Sequence, residues 1–141
     1  MKISLKEFNE ILGQINNLYH EANLKLGISD SESEVLYILS THEPGCFQSI
    51  LYKESFLTKS TINSAIKKME RKGLLYLTPG EGRNTCVSLT EEGLQLARNT
   101  AWKIIELENE VYASWSKEEQ DTFLKLNRDF AEKMSTLIRD L

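Results

Sequence analysis

The sequence contains few of the residues from which metal sites and disulfide frameworks are built. Its two cysteines, Cys46 and Cys86, are far apart and form no CxxC pair, and its two histidines, His20 and His42, stand alone. A structural zinc site requires four ligands at clustered spacings. A disulfide is not expected in a reducing cytosol. We therefore predict no metal ion, no cofactor and two ordinary free thiols.

The sequence also lacks long apolar runs and known catalytic motifs. No apolar run approaches the roughly 18 residues of a membrane helix. The N-terminus, beginning Met1-Lys2-Ile3, leads into an amphipathic pattern and not into a signal peptide. No GxSxG, Walker, HExxH or dinucleotide-binding motif occurs. These absences favour a cytoplasmic globular protein that is not an enzyme, and 141 residues suffice for one domain with a real core.

Positive charge is scarce overall but concentrated in the middle of the chain. The net charge is −4. Residues 53–83 nevertheless hold seven basic and three acidic side chains, a local charge of +4, whereas the remainder holds ten basic and eighteen acidic ones, or −8. A basic segment between acidic flanks is compatible with nucleic-acid binding. Taken alone, this distribution favours ordinary solvated helix surfaces.

Apolar side chains recur at three- and four-residue steps over most of the chain, which predicts amphipathic helices. Serine or threonine at the predicted starts and glycine or proline near the predicted ends mark the boundaries. The predicted helices cover 3–25, a segment from Ser29 or Ser31 to Pro44, 47–54, a segment from Thr58 or Ser60 to Gly73, 90–115, and a last segment from Ser116.

A change of period after the fourth helix predicts a β-hairpin. Residues 75–77 and 85–89 form two short predicted strands around the Pro- and Gly-rich turn 79–82. Three short helices followed by a hairpin make a winged helix-turn-helix. We therefore predict a mainly α fold with a small β-hairpin wing. The outer helices carry apolar stripes that one small domain cannot fully cover, and this predicts a homodimer.

Two segments resemble the MarR family of bacterial transcriptional regulators. GRNTCVSLTEEG (82–93) is similar to the wing of that family, in which an acid and a nearby arginine precede Leu-Thr and a glycine; here these are Glu81, Arg83, Leu89, Thr90 and Gly93. TKSTINSAIKKMERKGLL (58–75) is similar to the family's recognition helix. The resemblance covers essentially the whole chain. It implies a single MarR-like domain over 1–141, with a DNA-binding lobe at 29–90 and dimerisation helices at 1–28 and 91–141.

Polar side chains on the fourth helix are candidates for DNA contacts. Asn63 can pair with adenine N6 and N7, while Lys67 and Lys68 are placed to touch phosphates. The resemblance implies that Arg83 enters the minor groove with support from Glu81. The alternative is that these are ordinary polar surface residues. The candidate DNA-binding residues are Lys59, Ser60, Thr61, Asn63, Ser64, Lys67, Lys68, Arg83 and Asn84.

The resemblance also implies how the molecule works. A dimer would place two recognition helices roughly 34 Å apart on a near-palindromic double-stranded operator. We expect a repressor, although the sequence alone does not separate repression from activation. The alternative is a winged-helix module that binds other proteins and no DNA. Ser64 and Phe56 depart from the family's usual arginine and turn glycine, so the operator cannot be taken from relatives.

Aromatic side chains on the outer helices are candidates for a small-ligand cleft. Members of the MarR family commonly respond to small aromatic ligands between the dimerisation region and the DNA-binding lobe. Tyr19, His20, Trp102 and Tyr112 are the residues here that such a cleft would use. The alternative is that these aromatics are core residues. Oxidation of Cys46 or Cys86 is a further alternative for sensing.

Overall fold

The computed structural model describes residues 1–42, 45–80, 82 and 84–141. The chain divides into two compact units, Met1–Ile104 and Ile105–Leu141. A mainly helical fold with a small antiparallel sheet is confirmed. In chain order the elements are α1 (Lys6–Leu26), α2 (Asp30–Thr41), β1 (Gly45–Phe47), α3 (Gln48–Glu54), α4 (Lys59–Arg71), β2 (Leu75–Pro79), β3 (Thr85–Leu89), α5 (Glu91–Asn99), α6 (Ala101–Ala113) and α7 (Lys117–Ile138).

The core of the first unit is formed by the apolar faces of its short helices and sheet. In α2 and α4 these faces are the ones that the helical periodicity predicts, and they are almost completely buried. Side chains of this size are each worth roughly 1.5–3 kcal/mol when fully buried. The core includes Val35, Leu36, Ile38, Leu39, Leu51, Ile62, Ala65, Ile66, Met69, Leu75, Val87 and Ala97.

Hydroxyl side chains begin four of the helices, as the sequence predicts. Ser29 accepts a hydrogen bond from the Glu32 backbone N–H, and Thr58 accepts one from that of Thr61. Ser116 begins α7 with a complete capping box, because the Glu119 carboxylate also accepts a bond from the Ser116 N–H. Of the alternatives left open, Ser29 and Thr58 are therefore the capping residues.

The sheet has three strands in the order β1-β3-β2, all antiparallel. Strands β2 and β3 form the predicted hairpin, with Leu75 opposite Leu89 and Pro79 opposite Thr85. Strand β1 was not predicted. Its three residues pair with β3 some forty positions later, with Cys46 opposite Val87. A strand this short carries no alternating pattern of its own, so only the long-range pairing reveals it.

The Leu-Thr and glycine of the wing motif join the hairpin to α5. The Thr90 hydroxyl donates to the Gly73 carbonyl at 2.6 Å and accepts from the Gly93 N–H at 3.1 Å. Gly73 has a φ of 72°, in the left-handed region that glycine adopts at little cost. A Cβ on Gly93 would overlap the Leu74 carbonyl oxygen. These residues therefore have a structural role in the fold.

The prediction of one continuous helix from Thr90 to about Trp115 is wrong. Helix α5 ends at Asn99 and α6 begins at Ala101, since Thr100 has a non-helical backbone with φ −132° and ψ −87°. The Thr100 hydroxyl donates to the Leu96 carbonyl at 2.6 Å, and the residue is buried. Buried threonine can bond to the preceding turn and bend the chain without any proline or glycine to mark the break.

Helices α1 and α7 differ from the others because their apolar stripes are exposed. In α1 the stripe includes Ile11, Leu12, Ile15 and Leu18, the last 62% exposed. In α7 no residue is buried, and Leu126 on its stripe is 59% exposed. Each stripe has the spacing that the sequence predicts. None of the helices in the described residues has the length and apolar character needed to cross a membrane.

Candidate nucleic-acid interface

The two faces of α4 have opposite character. One face is buried and consists of Ile62, Ala65, Ile66 and Met69. The opposite face is exposed, and its side chains follow one another at four, three and four residues, so they form a single row along the helix. We call this row the outer face of α4, and it consists of Ser60, Ser64, Lys67 and Arg71. Arg71 was not among the candidates for DNA contact, although its spacing from Lys67 could have placed it there.

The N-terminal turn of α4 is fixed by Thr58. Its hydroxyl oxygen accepts from the Thr61 backbone N–H at 3.2 Å and lies 2.8 Å from the Thr61 hydroxyl. Thr61 therefore has a hydrogen-bonding partner within its own helix. Lys59, the first residue of α4, lies with its ammonium group 5.0 Å from the centre of the Tyr52 ring. Both residues are exposed at the end of α4 where base contacts of recognition helices occur.

One flank of α4 contacts α3 through Asn63. The Asn63 side-chain oxygen Oδ1 accepts from Gln48 Nε2 at 3.3 Å and from the Tyr52 hydroxyl at 3.4 Å. Gln48 Nε2 also donates to the Tyr52 hydroxyl at 2.6 Å. Asn63 is half-buried in this cluster. These contacts could not be predicted from local pattern, because Gln48 and Asn63 are fifteen residues apart.

The other flank of α4 contacts α2 through Glu32. The Glu32 carboxylate lies 3.1 Å from Lys68 Nζ and 3.6 Å from Lys72 Nζ, and its side chain is only 8% exposed. Glu32 lies in the first turn of α2, and its side chain pairs with these two lysines. Lys68 is therefore directed towards α2, whereas Lys67 is on the outer face. An ion pair with a buried carboxylate holds α4 against α2.

The hairpin residues nearest the tip are only partly described. The Gly80 N–H donates to the Asn84 carbonyl at 2.7 Å, which closes the β2–β3 hairpin, and the Asn84 side chain is exposed. Arg83 and Glu81 lie outside the described residues. Their predicted roles, in the minor groove and in support of that arginine, stay predictions.

The four candidate ligand-cleft residues occupy both units of the chain. In the first unit, His20 Nδ1 lies 2.7 Å from Asp30 Oδ2, and Trp102 Nε1 donates to the Ser40 hydroxyl at 2.9 Å. Tyr19 is exposed on α1. In the second unit, Tyr112 contacts Trp115 with ring centres 6.0 Å apart. The predicted cleft stays a prediction.

Hydrogen bonding lowers the pKa of Asp30, the residue that contacts His20. The Asn23 amino group donates to Asp30 Oδ1 at 2.9 Å, and this bond, with a smaller contribution from His20, holds the pKa of Asp30 below its ordinary value. The carboxylate thus stays ionised and links α1 to α2. His20 has a structural partner here whether or not it also contacts a ligand.

The two cysteines are free. Cys46 is buried opposite Val87, so its side chain lies on the same face of the sheet as Val87, and Cys86 on the opposite face. Burial, with the nearby Glu54, raises the pKa of the Cys46 thiol to about 11. A thiol with a raised pKa is a poor nucleophile. No cluster of three or more His, Cys, Asp or Glu side chains that could hold a metal ion occurs among the described residues.

A surface cavity of about 380 Å³ lies in the second unit. It is lined by Trp115, Glu118, Glu119, Thr122 and Phe123. The rings of Trp115 and Phe123 are 4.9 Å apart. None of the four predicted cleft residues lines this cavity.

Comparison with known protein families identifies the central segment. Residues 26–83, which contain α2, α3, α4 and the start of the hairpin, match the sequence model of the MarR family. The predicted resemblance to the MarR family is confirmed over this segment. A comparison with curated protein sequences gives no match.

Solved structures of MarR-family regulators share the fold over nearly the whole chain. NMB1585 of Neisseria meningitidis superposes with a TM-score of 0.82 at 24% identity, covering 99% of each chain. PcaV of Streptomyces coelicolor, in complex with its natural ligand, has a TM-score of 0.67 at 24% identity, covering 94% of this chain and 97% of its own. MepR of S. aureus, in complex with DNA, has a TM-score of 0.68 at 20% identity, covering 97% and 99%. The chain therefore has the winged-helix fold of MarR-family transcriptional regulators.

Proposed function

We propose that this protein is a sequence-specific transcriptional regulator of the MarR type, a repressor, that binds a near-palindromic double-stranded operator as a homodimer. The observation that carries the proposal is the outer face of α4, a row of exposed polar and basic side chains opposite a fully buried face. This arrangement leaves one side of a rigid helix available for the major groove. Because the proposed partner is DNA, we place the protein in the cytoplasm, and the proposal gives it no catalytic role.

The composition of the outer face suits a helix that approaches DNA closely. Ser60 and Ser64 are short, so they let the helix backbone come near the base edges and can bond to bases or phosphates. Lys67 and Arg71 are longer and reach phosphates, where each releases counterions. MepR of S. aureus, which shares the fold, is known in complex with DNA, and this supports the same use of α4 here.

The exposed apolar stripes support the homodimer. The stripe of α1 includes Ile15 and Leu18, and that of α7 includes Leu126 and Leu137, all between 42% and 65% exposed. Monomeric proteins rarely expose contiguous apolar surface of this kind. A second copy of the chain would cover each stripe and present two α4 helices to successive turns of DNA.

Release by a small ligand completes the proposed function. PcaV of Streptomyces coelicolor, which shares the fold, is known in complex with its natural ligand. In this chain Tyr19, His20, Trp102 and Tyr112 remain the candidate residues for such a site. A ligand could shift the equilibrium only by binding the DNA-free conformation more tightly than the DNA-bound one.

Selection of bound duplexes from a random DNA pool tests the proposal. We expect enrichment of one inverted-repeat sequence, with half-sites about one helical turn apart. With Lys67 and Arg71 of two protomers on phosphates, affinity should fall about a hundredfold for a fourfold rise in salt. Absence of any enriched sequence would contradict DNA recognition and favour the alternative, a winged-helix module that binds proteins.

A further inference from the structure

The cluster of Gln48, Tyr52 and Asn63 turns the Asn63 carbonyl oxygen towards α3. This oxygen accepts from Gln48 Nε2 at 3.3 Å and from the Tyr52 hydroxyl at 3.4 Å. The two donor atoms are themselves 2.6 Å apart, so both approach the oxygen from the α3 side. All three hydrogen bonds can form at once. The Tyr52 hydroxyl donates its one hydrogen to Asn63 Oδ1, and Gln48 Nε2, which carries two hydrogens, donates to both Asn63 and Tyr52.

The Asn63 amino group is the part of the side chain that remains available. Because the nitrogen and oxygen of a carboxamide lie on opposite sides of its carbon, contacts of the oxygen with Gln48 and Tyr52 direct the nitrogen away from α3. Among the described residues no hydrogen bond of this nitrogen is found. Asn63 is half-buried and lies in α4 between the outer face and α3. Lys59 covers the Tyr52 ring at 5.0 Å and helps to keep the ring in place. The exposed polar group of Asn63 is therefore a hydrogen-bond donor and not an acceptor.

We propose that Gln48 and Tyr52 are positioning residues that hold Asn63 as a donor, so that Asn63 selects guanine and not adenine in the operator half-site. This inference rests on the proposed DNA-binding function. Pairing with adenine requires asparagine to accept from N6 while it donates to N7. In this cluster the oxygen is bound on the α3 side, so it does not face a base edge together with the amino group. Guanine presents acceptors at both N7 and O6, so a donor meets no opposing N–H group there.

The experiment is selection from a random DNA pool with the unaltered protein and five single variants, followed by binding measurements on duplexes that differ at one base pair. Asn63→Ala locates the base pair that Asn63 contacts, because selection should be lost at that position alone. Tyr52→Phe removes one donor to the Asn63 oxygen but keeps the ring. Gln48→Glu replaces a donor by an acceptor, and the Asn63 carboxamide should then turn its oxygen outward. Tyr76→Phe, on strand β2, is the matched control for loss of a tyrosine hydroxyl.

We expect the unaltered protein to prefer guanine to adenine at the Asn63 position by about tenfold, the effect of one good base contact. Tyr52→Phe should narrow that preference, and Gln48→Glu should reverse it towards a base with an exposed amino group, adenine or cytosine. The added negative charge should also weaken binding to all sequences alike, and Ser49→Glu on the same helix measures that part. Tyr76→Phe should change nothing. A merely structural role for the cluster would lower affinity without changing the preferred base.

Three results would overturn the inference while leaving the proposed function intact. The first is that the unaltered protein selects adenine at the base pair that Asn63 contacts. The second is that Tyr52→Phe and Gln48→Glu both keep the preferred base of the unaltered protein. The third is that Asn63→Ala loses affinity equally for all sequences, which would indicate a phosphate contact. A pool that shows no enrichment with any variant would instead overturn the proposed function, and this inference with it. Thermal unfolding of each variant shows whether the fold is retained.

Discussion

Helices α4 and α7 have the same kind of amphipathic sequence but different surroundings. In α4 the apolar face, from Ile62 to Met69, is at most 4% exposed, and the polar face is open to solvent. In α7 the polar face is also open, but the apolar stripe is exposed as well, with Leu126 at 59% and Leu137 at 65%. The comparison shows that periodicity identifies an apolar face without identifying what covers it.

The same difference indicates what kind of partner each helix requires. Helix α4 is complete within its own unit, so it can offer a polar and basic face to a charged partner. The apolar stripe of α7 remains to be covered, so it requires a second apolar surface, as does the stripe of α1. Substitutions on α4 should therefore affect DNA binding without affecting dimerisation, and substitutions on the α7 stripe should affect dimerisation first.

The largest effect is expected from Leu126→Asp on the α7 stripe. Each copy would lose the burial of a leucine, worth roughly 1.5–3 kcal/mol, and would gain a carboxylate at an apolar interface. Two copies together should weaken dimerisation by about a thousandfold or more. Analytical ultracentrifugation over a concentration series measures this.

Ser135→Asp is the matched control for Leu126→Asp, because it adds the same charge to the exposed polar side of α7. It should leave the dimer intact. If both variants remain dimeric, the exposed stripe of α7 is not the dimer interface, and the separate roles assigned to α4 and α7 are wrong.

A double substitution on the outer face of α4, Lys67→Ala with Arg71→Ala, should have the next largest effect. A dimer would lose four phosphate contacts, which should reduce the slope of log affinity against log salt by about 3.6. At low salt the affinity should fall by about a hundredfold, while the dimer is unaffected. Fluorescence anisotropy with a labelled operator measures both quantities.

Lys125→Ala with Arg128→Ala on α7 removes the same charge from the exposed polar side of the other helix. This control should change the salt slope by much less than the α4 pair. Equal effects of the two pairs would show that net charge, and not the outer face of α4, governs binding.

Glu32→Gln should strengthen binding to DNA of any sequence while weakening the fold. The carboxylate holds Lys68 and Lys72 against α2, so its neutralisation would release two lysines beside the outer face of α4. We expect about tenfold tighter binding to non-operator DNA, with a steeper salt dependence. The free energy of unfolding should fall by about 1 kcal/mol, since both lysines are half-exposed.

Glu70→Gln, on α4 itself, is the control for Glu32→Gln because it changes the same charge in an exposed side chain. It should leave the free energy of unfolding unchanged. If Glu32→Gln bound DNA more weakly than Glu70→Gln, the ion pair would position α4 for the major groove. Its role would then be more than keeping Lys68 and Lys72 away from DNA.

The sequence predicted the local features of the fold better than the long-range ones. The Thr58 and Ser116 caps and the buried face of α4 follow from neighbours within four residues, so local pattern suffices. Strand β1 exists only through pairing with β3, and the break at Thr100 depends on a buried threonine. Neither leaves a signal in the surrounding residues.

The same limit applies to the candidate interface. The row of Ser60, Ser64 and Lys67 was predictable from helical spacing. The positions of Lys68 and Asn63 were not, because each depends on a partner in another helix, namely Glu32 in α2 and Tyr52 in α3. Their predicted contacts, with a phosphate and with adenine, assumed side chains free of such partners, whereas α2 provides a partner to Lys68 and α3 provides partners to Asn63.

The smallest effects are expected from two helix caps, one in each region. Thr58→Ala removes the hydroxyl that bonds to the Thr61 N–H in α4, and Ser116→Ala removes the corresponding bond to Glu119 in α7. Each should lower the free energy of unfolding by about 1 kcal/mol, measured by urea denaturation. The two differ in their functional consequence. Fraying of α4 should weaken operator binding a fewfold without affecting the dimer, whereas fraying of α7 should weaken the dimer first. If Ser116→Ala weakened operator binding as much as Thr58→Ala at concentrations where both proteins are dimeric, the two helices would not have separate roles.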